Sequence, residues 1–198
     1  MTGRPTRRTR HAPVRTREAI LRAALELMSE HSYESTTVPE IAARAGVAAG
    51  TIYLHFPSKE AVVNAVYRES KLEMQRFLAD AMASAGTPRE GFHGLWRGLF
   101  DFSRKHPEAF RFLEMHRHLP YLEPASLEVT RAVFEGVADF VRRAQKQGAI
   151  RKAPPGVLIS LAFGAFVGLA KEAECGHVRF DEKSIRIGEE VVWKMLAA

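Results

Sequence analysis

Two groups of polar side chains stand out in this 198-residue chain. The first is the run Glu114-Met115-His116-Arg117-His118, with His93 and His106 elsewhere. Carboxylate and imidazole groups can hold a metal ion that activates water for hydrolysis. The spacing argues against it: His116 and His118 are two residues apart and would leave a helix on different sides. No HExxH, no Cys/His ligand pattern and no Gly-rich phosphate loop accompanies them. The second group is Thr37, Thr51, Tyr53, His55 and Lys59. They lie on or beside the run Thr37 to Phe56, which has the grammar of two short helices joined by a tight turn, a pattern that lays its second helix in the DNA major groove.

Charge distribution points the same way. Residues 1–17 hold Arg4, Arg7, Arg8, Arg10, Arg15 and Arg17 and no acid, which alone equals the +6 of the whole chain. Residues 18–70 carry four basic and seven acidic side chains, and residues 71–198 carry nineteen basic and sixteen acidic. The Arg, Pro, Thr and Gly content of the leader predicts disorder in isolation. Arg8 and Arg10 suit phosphate neutralisation or insertion into a minor groove.

The elements that must place the second group are readable. Thr37 followed by Glu40 is a capping box, and Pro39 falls in the first helical turn, where a missing N–H costs nothing. Ile41, Ala42 and Ala45 give a small apolar face, and Gly46 stands where a left-handed residue ends the helix. A second helix runs from about Ala48 to Phe56, with Ile52 and Phe56 as core. Two short helices joined by a tight turn form the helix-turn-helix pattern, whose second helix enters the DNA major groove. A preceding helix spans about Arg15 to His31, with Ile20, Ala24 and Leu27 on one face and Leu21, Leu25 and Met28 beside them. Ser32 follows it; a left-handed backbone there would cost about 1 kcal/mol relative to glycine. Tyr33 is expected to fold back onto this three-helix core.

The run TTVPEIAARAGVAAGTIYLHFPSKEAVVNAV resembles the TetR (tetracycline-repressor) family of bacterial transcription regulators. The likeness rests on Thr37, Ile41-Ala42, Ala45-Gly46-Val47, Gly50-Thr51-Ile52-Tyr53, His55-Phe56 and Ser58-Lys59-Glu60, and covers roughly residues 16–66. It implies that Ala48, Ala49, Gly50, Thr51, Tyr53 and Leu54 face or border the groove. Methyl groups of Ala49 or Leu54 would meet thymine methyls, with Thr51 on a base edge or phosphate. It also implies that Tyr53, His55, Lys59 and Thr37 contact phosphates. Ala48 and Ala49 stand where the family commonly places a capping Ser and a polar or basic residue, and Val38 where many members have Arg. These losses shift the expected electrostatics towards the arginine arm.

Beyond residue 57 the sequence reads as helices throughout. Ser58 caps a helix reaching about Ala83, and five more follow, near Arg89–His106, after Pro107, Ala125–Gln147, from Pro154-Pro155 to Cys175-Gly176, and after Asp181. The expected fold class is all-α, about nine helices. It comprises a basic arm (1–14), a three-helix DNA-binding domain (15–75) and a helical effector-binding and dimerisation domain (76–198). Trp96, Phe100, Phe112, Met115, Phe134, Phe163 and Phe166 are candidate lining for an effector pocket, and equally ordinary core. Phe163, Gly164, Val167, Gly168, Val192 and Trp193 are candidate dimer contacts, because helical glycines cost about 1 kcal/mol each and imply a packing reason.

The longest apolar run, Val157 to Ala170, is fourteen residues and is broken by Ser160, Gly164 and Gly168. A membrane span needs about twenty, so a buried helix and no membrane are expected. No secretory signal is seen, and the single Cys175 fits a reducing interior. These features point to the bacterial cytoplasm. The expected protein is a homodimeric, ligand-responsive repressor on a near-palindromic double-stranded operator, without cofactor or metal. Two alternatives stay open: a ligand-independent regulator whose C-terminal half only dimerises, and a metal-dependent hydrolase.

Overall fold

A computed structural model describes residues 11–115 and 119–198 of the chain. Among these residues the helices are α1 (His11–Glu30), α2 (Val38–Ala45), α3 (Ala49–His55), α4 (Lys59–Met82), α5 (Pro88–Lys105), α6 (Pro107–Met115), α7 (Pro124–Lys146), α8 (Pro155–Glu174) and α9 (Glu182–Leu196). A 3-10 turn lies at Leu119–Tyr121, and a lone antiparallel bridge joins Ile150 to Ala197. The all-α expectation holds.

Local chemistry accounts for most of the boundaries. Thr37, Ser58, Thr87 and Asp181 each accept a backbone N–H from their own first turn. Thr37 with Glu40 and Thr87 with Glu90 form complete capping boxes. Gly46 ends α2 at φ 69° and Gly148 follows α7 at φ 71°, the left-handed conformation that costs glycine least. Two sequence expectations need correction. Helix α1 is already formed at His11, the first described residue, rather than starting near Arg15. Ser32 is not left-handed, since no described non-glycine residue has positive φ. Its hydroxyl instead lies 3.3 Å from that of Ser35 and relieves the turn.

One hydrophobic core runs the length of the molecule. At one end α1, α2 and α3 close around Ile20, Ala24, Met28, Ile41 and Ile52, with Val62 and Val63 of α4 beneath them. At the other, α4 and α5 make the most extensive helix pairing. Two glycines allow it: a Cβ on Gly94 would lie 2.4 Å from the Ala81 carbonyl oxygen, and one on Gly98 would lie 2.9 Å from that of Phe77. The two backbones are too close for any side chain between them.

A buried polar staple joins the two ends. Asn64 of α4 donates to the carbonyls of Glu60 and Tyr121, each at 2.9 Å. Its side-chain oxygen accepts from the Glu123 N–H at 2.9 Å and the Ser126 hydroxyl at 2.7 Å. Tyr33, expected to return to the three-helix core, also stacks on Tyr121 with ring centroids 4.1 Å apart. Its hydroxyl donates to Glu60 at 2.6 Å. Burial, then the Glu60 carboxylate, pushes the Tyr33 hydroxyl well above the usual tyrosine range. The α1–α2 link is therefore tied both to α4 and to the segment preceding α7.

Overpacking a tight helix crossing typically costs about 1–3 kcal/mol. Gly94→Ala is accordingly expected to lower unfolding free energy by that amount in urea titrations, because the new methyl would meet backbone and not a movable side chain.

Candidate nucleic-acid interface and effector cavity

Helix α3 has seven residues and two unlike faces. Ile52 and Phe56, four apart, turn inward and are 0% and 5% exposed. Ala49 with Tyr53, and Gly50 with Leu54, are also four apart and turn outward. Leu54 is 84% exposed and Tyr53 56%, so nothing within the subunit accounts for these side chains. Ala48, Ala49 and Gly50 are exposed, and Thr51 and His55 are half-buried. Ala48 occupies the N-cap without a side-chain hydrogen bond, as the missing serine led one to expect. The face is short, apolar and uncharged, and stands proud of the head.

Two residues expected on phosphates have other duties. Lys59 donates to the carbonyls of Tyr33 at 2.7 Å and Thr36 at 2.8 Å, and its ammonium sits 4.0 Å from the Tyr33 ring centroid. Two of its three N–H bonds therefore secure the α1–α2 link. The Thr37 hydroxyl donates to Glu40 Oε2 at 2.7 Å and accepts the Glu40 N–H at 3.4 Å, which commits it to the cap. Val38, where the family resemblance would place an arginine, is buried in the head core. Arg44 pairs with Glu26 and Arg17 with Glu69. The head thus spends much of its own positive charge internally. Arg8 and Arg10, with the rest of residues 1–10, lie outside the described residues.

The C-terminal half holds a partly open cavity of about 230 Å³. Lys71, Met74 and Leu78 of α4 form one wall, α5 and α7 form the sides, and Leu158, Ala162 and Phe163 of α8 close it. Of the aromatic candidates, Trp96, Phe134 and Phe163 line it. Phe100, Phe112 and Phe166 do not: each is at most 1% exposed and serves as core. The Met115 side chain, like His116 and His118, lies outside the described residues. Lys71 was missed, although the register carried a sign of it. Tyr67, Lys71, Met74 and Leu78 share one face at i, i+4, i+7 and i+11, and a lysine interrupts an otherwise buried stripe. Asn64, set among Val62, Val63, Ala65 and Val66, was the other overlooked signal.

The apolar run expected to be a buried helix is not buried within the subunit. Of the twenty residues of α8, only Leu158, Phe166 and Ala170 are buried, although α8 is long and apolar enough by length and composition to cross a membrane. Val157 and Leu161, with Gly164, point outward, and on the packed neighbour α9 so do Ile187, Val191 and Met195. One candidate dimer contact is turned away: Val192 faces the core at 5% exposed, while half-buried Trp193 packs on Phe92 with ring centroids 5.4 Å apart. The heptad-like stripe of α9 presents Val191, one residue earlier. Phe163 turns towards the cavity, leaving Gly164, Val167 and Gly168 nearer the outer face. Two histidines of the rival metal site are described, and they lie apart. His93 pairs with Glu189 and His106 faces Glu73, and no described group of three or more His, Cys, Asp or Glu could hold an ion.

The Glu40 carboxyl is held below the usual carboxylate range by the Thr37 hydroxyl and then the Thr37 backbone N–H. A depressed folded-state pKa adds stability above the ordinary carboxylate value, about 4.3, and loses it as pH falls through the folded value. Glu40→Gln should therefore flatten the acid limb of a stability-versus-pH curve measured from pH 7 down to 3. Leu54→Ala and Tyr53→Phe should weaken DNA binding without changing the melting temperature. Ile52→Ala, on the opposite face, should cost about 2–5 kcal/mol of stability.

Comparison with known proteins agrees with this layout. A model of bacterial regulatory proteins of the tetR family matches residues 20–66, and one of the tetracyclin repressor-like C-terminal domain matches residues 67–198. The HTH-type transcriptional regulator YhgD of Bacillus subtilis (strain 168) is 21% identical over 171 residues, covering 85% of this chain and 90% of that protein. The HTH-type transcriptional repressor KstR2 of Mycolicibacterium smegmatis is 27% identical over 138 residues, 64% of this chain and 67% of that one. The crystal structure of a TetR family transcription regulator from Marinobacter aquaeolei VT8 superposes with a TM-score of 0.85 at 22% identity. That match covers 96% of this chain and 99% of the other. The capped helix pair, the outward α3 and the helical C-terminal half together make this chain a member of the TetR family of DNA-binding transcriptional regulators.

Proposed function

We propose that this regulator is a homodimeric repressor of the bacterial cytoplasm that leaves its operator when a small apolar molecule enters the cavity. The observation that carries this reading is that α4 belongs to both sites. Its first turns pack against α1, put Val62 and Val63 into the head core and hold Asn64, and its middle turns contribute Lys71, Met74 and Leu78 to the cavity wall. An occupant that shifts α4 moves the head with it. A ligand can act only if it prefers one of two head arrangements, and a cavity bounded by the connecting helix supplies such a preference. The cavity also favours this reading over a C-terminal half that serves dimerisation alone. The sign of regulation is carried over from KstR2, which is a repressor.

Dimerisation is supported by the outer face of α8 and α9. Leu161 and Val191, 50% and 61% exposed, lie on neighbouring helices. A Cβ on Gly164 or Gly168 would meet nothing within 4 Å in the subunit, so any packing reason for these glycines lies outside it. Pairing of two such helix pairs buries the stripe and sets two α3 helices on one duplex. Half-sites one helical turn apart, about 34–36 Å, give a near-palindromic operator. DNA contact rests on Ala49, Gly50, Thr51, Tyr53, Leu54 and His55, with phosphate neutralisation by Arg8 and Arg10.

The reading is tested by selecting bound duplexes from a random library and then screening compounds for release. Near-palindromic sites bound by two chains are expected, and a single chain on an asymmetric site would refute the dimer. Leu161→Glu combined with Val191→Glu should give monomers in sedimentation, with folded helix content intact and operator affinity lost. Deleting residues 1–10 should weaken binding and flatten its salt dependence, each lost phosphate contact reducing the log–log slope by about 0.9. Equal slopes for the full and shortened chains would dismiss the arm.

A further inference from the structure

The cavity wall is apolar apart from Lys71, Thr130 and the Trp96 indole N–H, which is spent on the Ile185 carbonyl at 2.9 Å, and the hydrogen bonds of the first two define what can sit there. Thr130 Oγ1 lies 2.9 Å from Tyr67 Oη and 3.2 Å from the Ser126 carbonyl oxygen. Its single hydroxyl proton is therefore already used within the protein. Lys71 is different. Glu114 at the end of α6 accepts one of its N–H bonds at 3.0 Å, and the two side chains are only 11% and 10% exposed. The Tyr67 ring faces the ammonium from 5.8 Å. An ammonium has three N–H donors and no acceptor, so the free protons of the polar corner are those of Lys71, and Thr130 brings no free donor beside them.

Its net charge decides the rest. Lys71 and Glu114 already neutralise each other in a largely dehydrated place. A carboxylate on Lys71 would leave an unpaired negative charge beside Glu114, and a cation would leave an unpaired positive one. Either uncompensated charge is costly in a low-dielectric setting. A neutral acceptor adds a hydrogen bond to the charged donor and creates no unpaired charge. Bonds of that type are stronger than neutral ones.

We propose that the effector is an uncharged, largely hydrocarbon molecule with one terminal acceptor, a ketone, ester or lactone carbonyl, seated on the Lys71 ammonium inside the α4–α5–α7–α8 cavity. This rests on reading the cavity as the effector site. Lys71 is then the specificity-determining residue, and Glu114 sets the charge of what Lys71 accepts.

The test uses the full chain and three probes of equal length: 2-decanone, decanoate and decylamine, titrated by calorimetry at neutral pH. The ketone should bind wild-type protein at least about tenfold more tightly than either ion, the factor expected when a buried site must leave one charge unpaired. Glu114→Gln removes the neutralising carboxylate while keeping shape, and should raise decanoate affinity relative to the ketone by a similar factor. Lys71→Met should erase the preference of 2-decanone over decane. Decanoate binding wild-type protein as tightly as the ketone would overturn the ligand class and leave the effector site standing. So would an unchanged ketone-to-decanoate ratio in a folded Glu114→Gln protein. Binding of none of the probes would sink the effector reading and this inference together. Should Glu114→Gln fail to fold by circular dichroism, the wild-type ranking alone decides.

Discussion

The molecule depends on the continuous hydrogen-bond ladder of α4. Its twenty-four residues, at about 1.5 Å each, make a rod of some 36 Å that bends only where its backbone bonds are interrupted. Proline and glycine are absent from this stretch. Along it lie, in order, the Val62–Val63 contribution to the head core, the Asn64 staple, the Lys71–Glu114 pair, the cavity wall and the close crossing with α5. Every one of these depends on the rod being rigid, because a soft connector would let the cavity relax without moving the head.

The two polar attachments along α4 do different work. Asn64 is surrounded by four good partners, so breaking any one leaves a buried amide atom unmet, at a cost of about 1–3 kcal/mol. It fixes the relation between α4 and the start of α7. Lys71–Glu114 is an ion pair in a place where apolar residues of similar volume would often be as stable. Its presence next to a cavity is therefore poorly explained by stability alone, and a role in choosing what enters gives it a physical reason.

The recognition face shows a trade between folding and binding. Ile52 and Phe56 hold α3 so well that its other side can carry solvent-exposed Leu54 and Tyr53. The head has few cations to spare, since Lys59, Arg44 and Arg17 all serve internal bonds. On the proposed reading, base-edge apolar contact and an arginine leader together replace the phosphate clamp that a lysine or arginine in the turn would provide.

Much of this was legible from residue order. The caps at Thr37, Ser58 and Asp181, the stop at Gly46 and the inward pair Ile52 and Phe56 follow from local rules, because a cap or a helical period involves neighbours within four residues. Side-chain allegiance over long distances did not follow. That Lys59 turns back to the carbonyls of Tyr33 and Thr36, that Val192 is inside while Val191 is outside, and that Trp96 lines the cavity but Phe100 does not all depend on where distant helices pass. The sequence by itself determined the helices, most of their ends and the family of the head. The tertiary structure alone decided which apolar side chains face core, cavity or the open surface of the subunit, because helical periodicity sets a face but only packing says what that face meets.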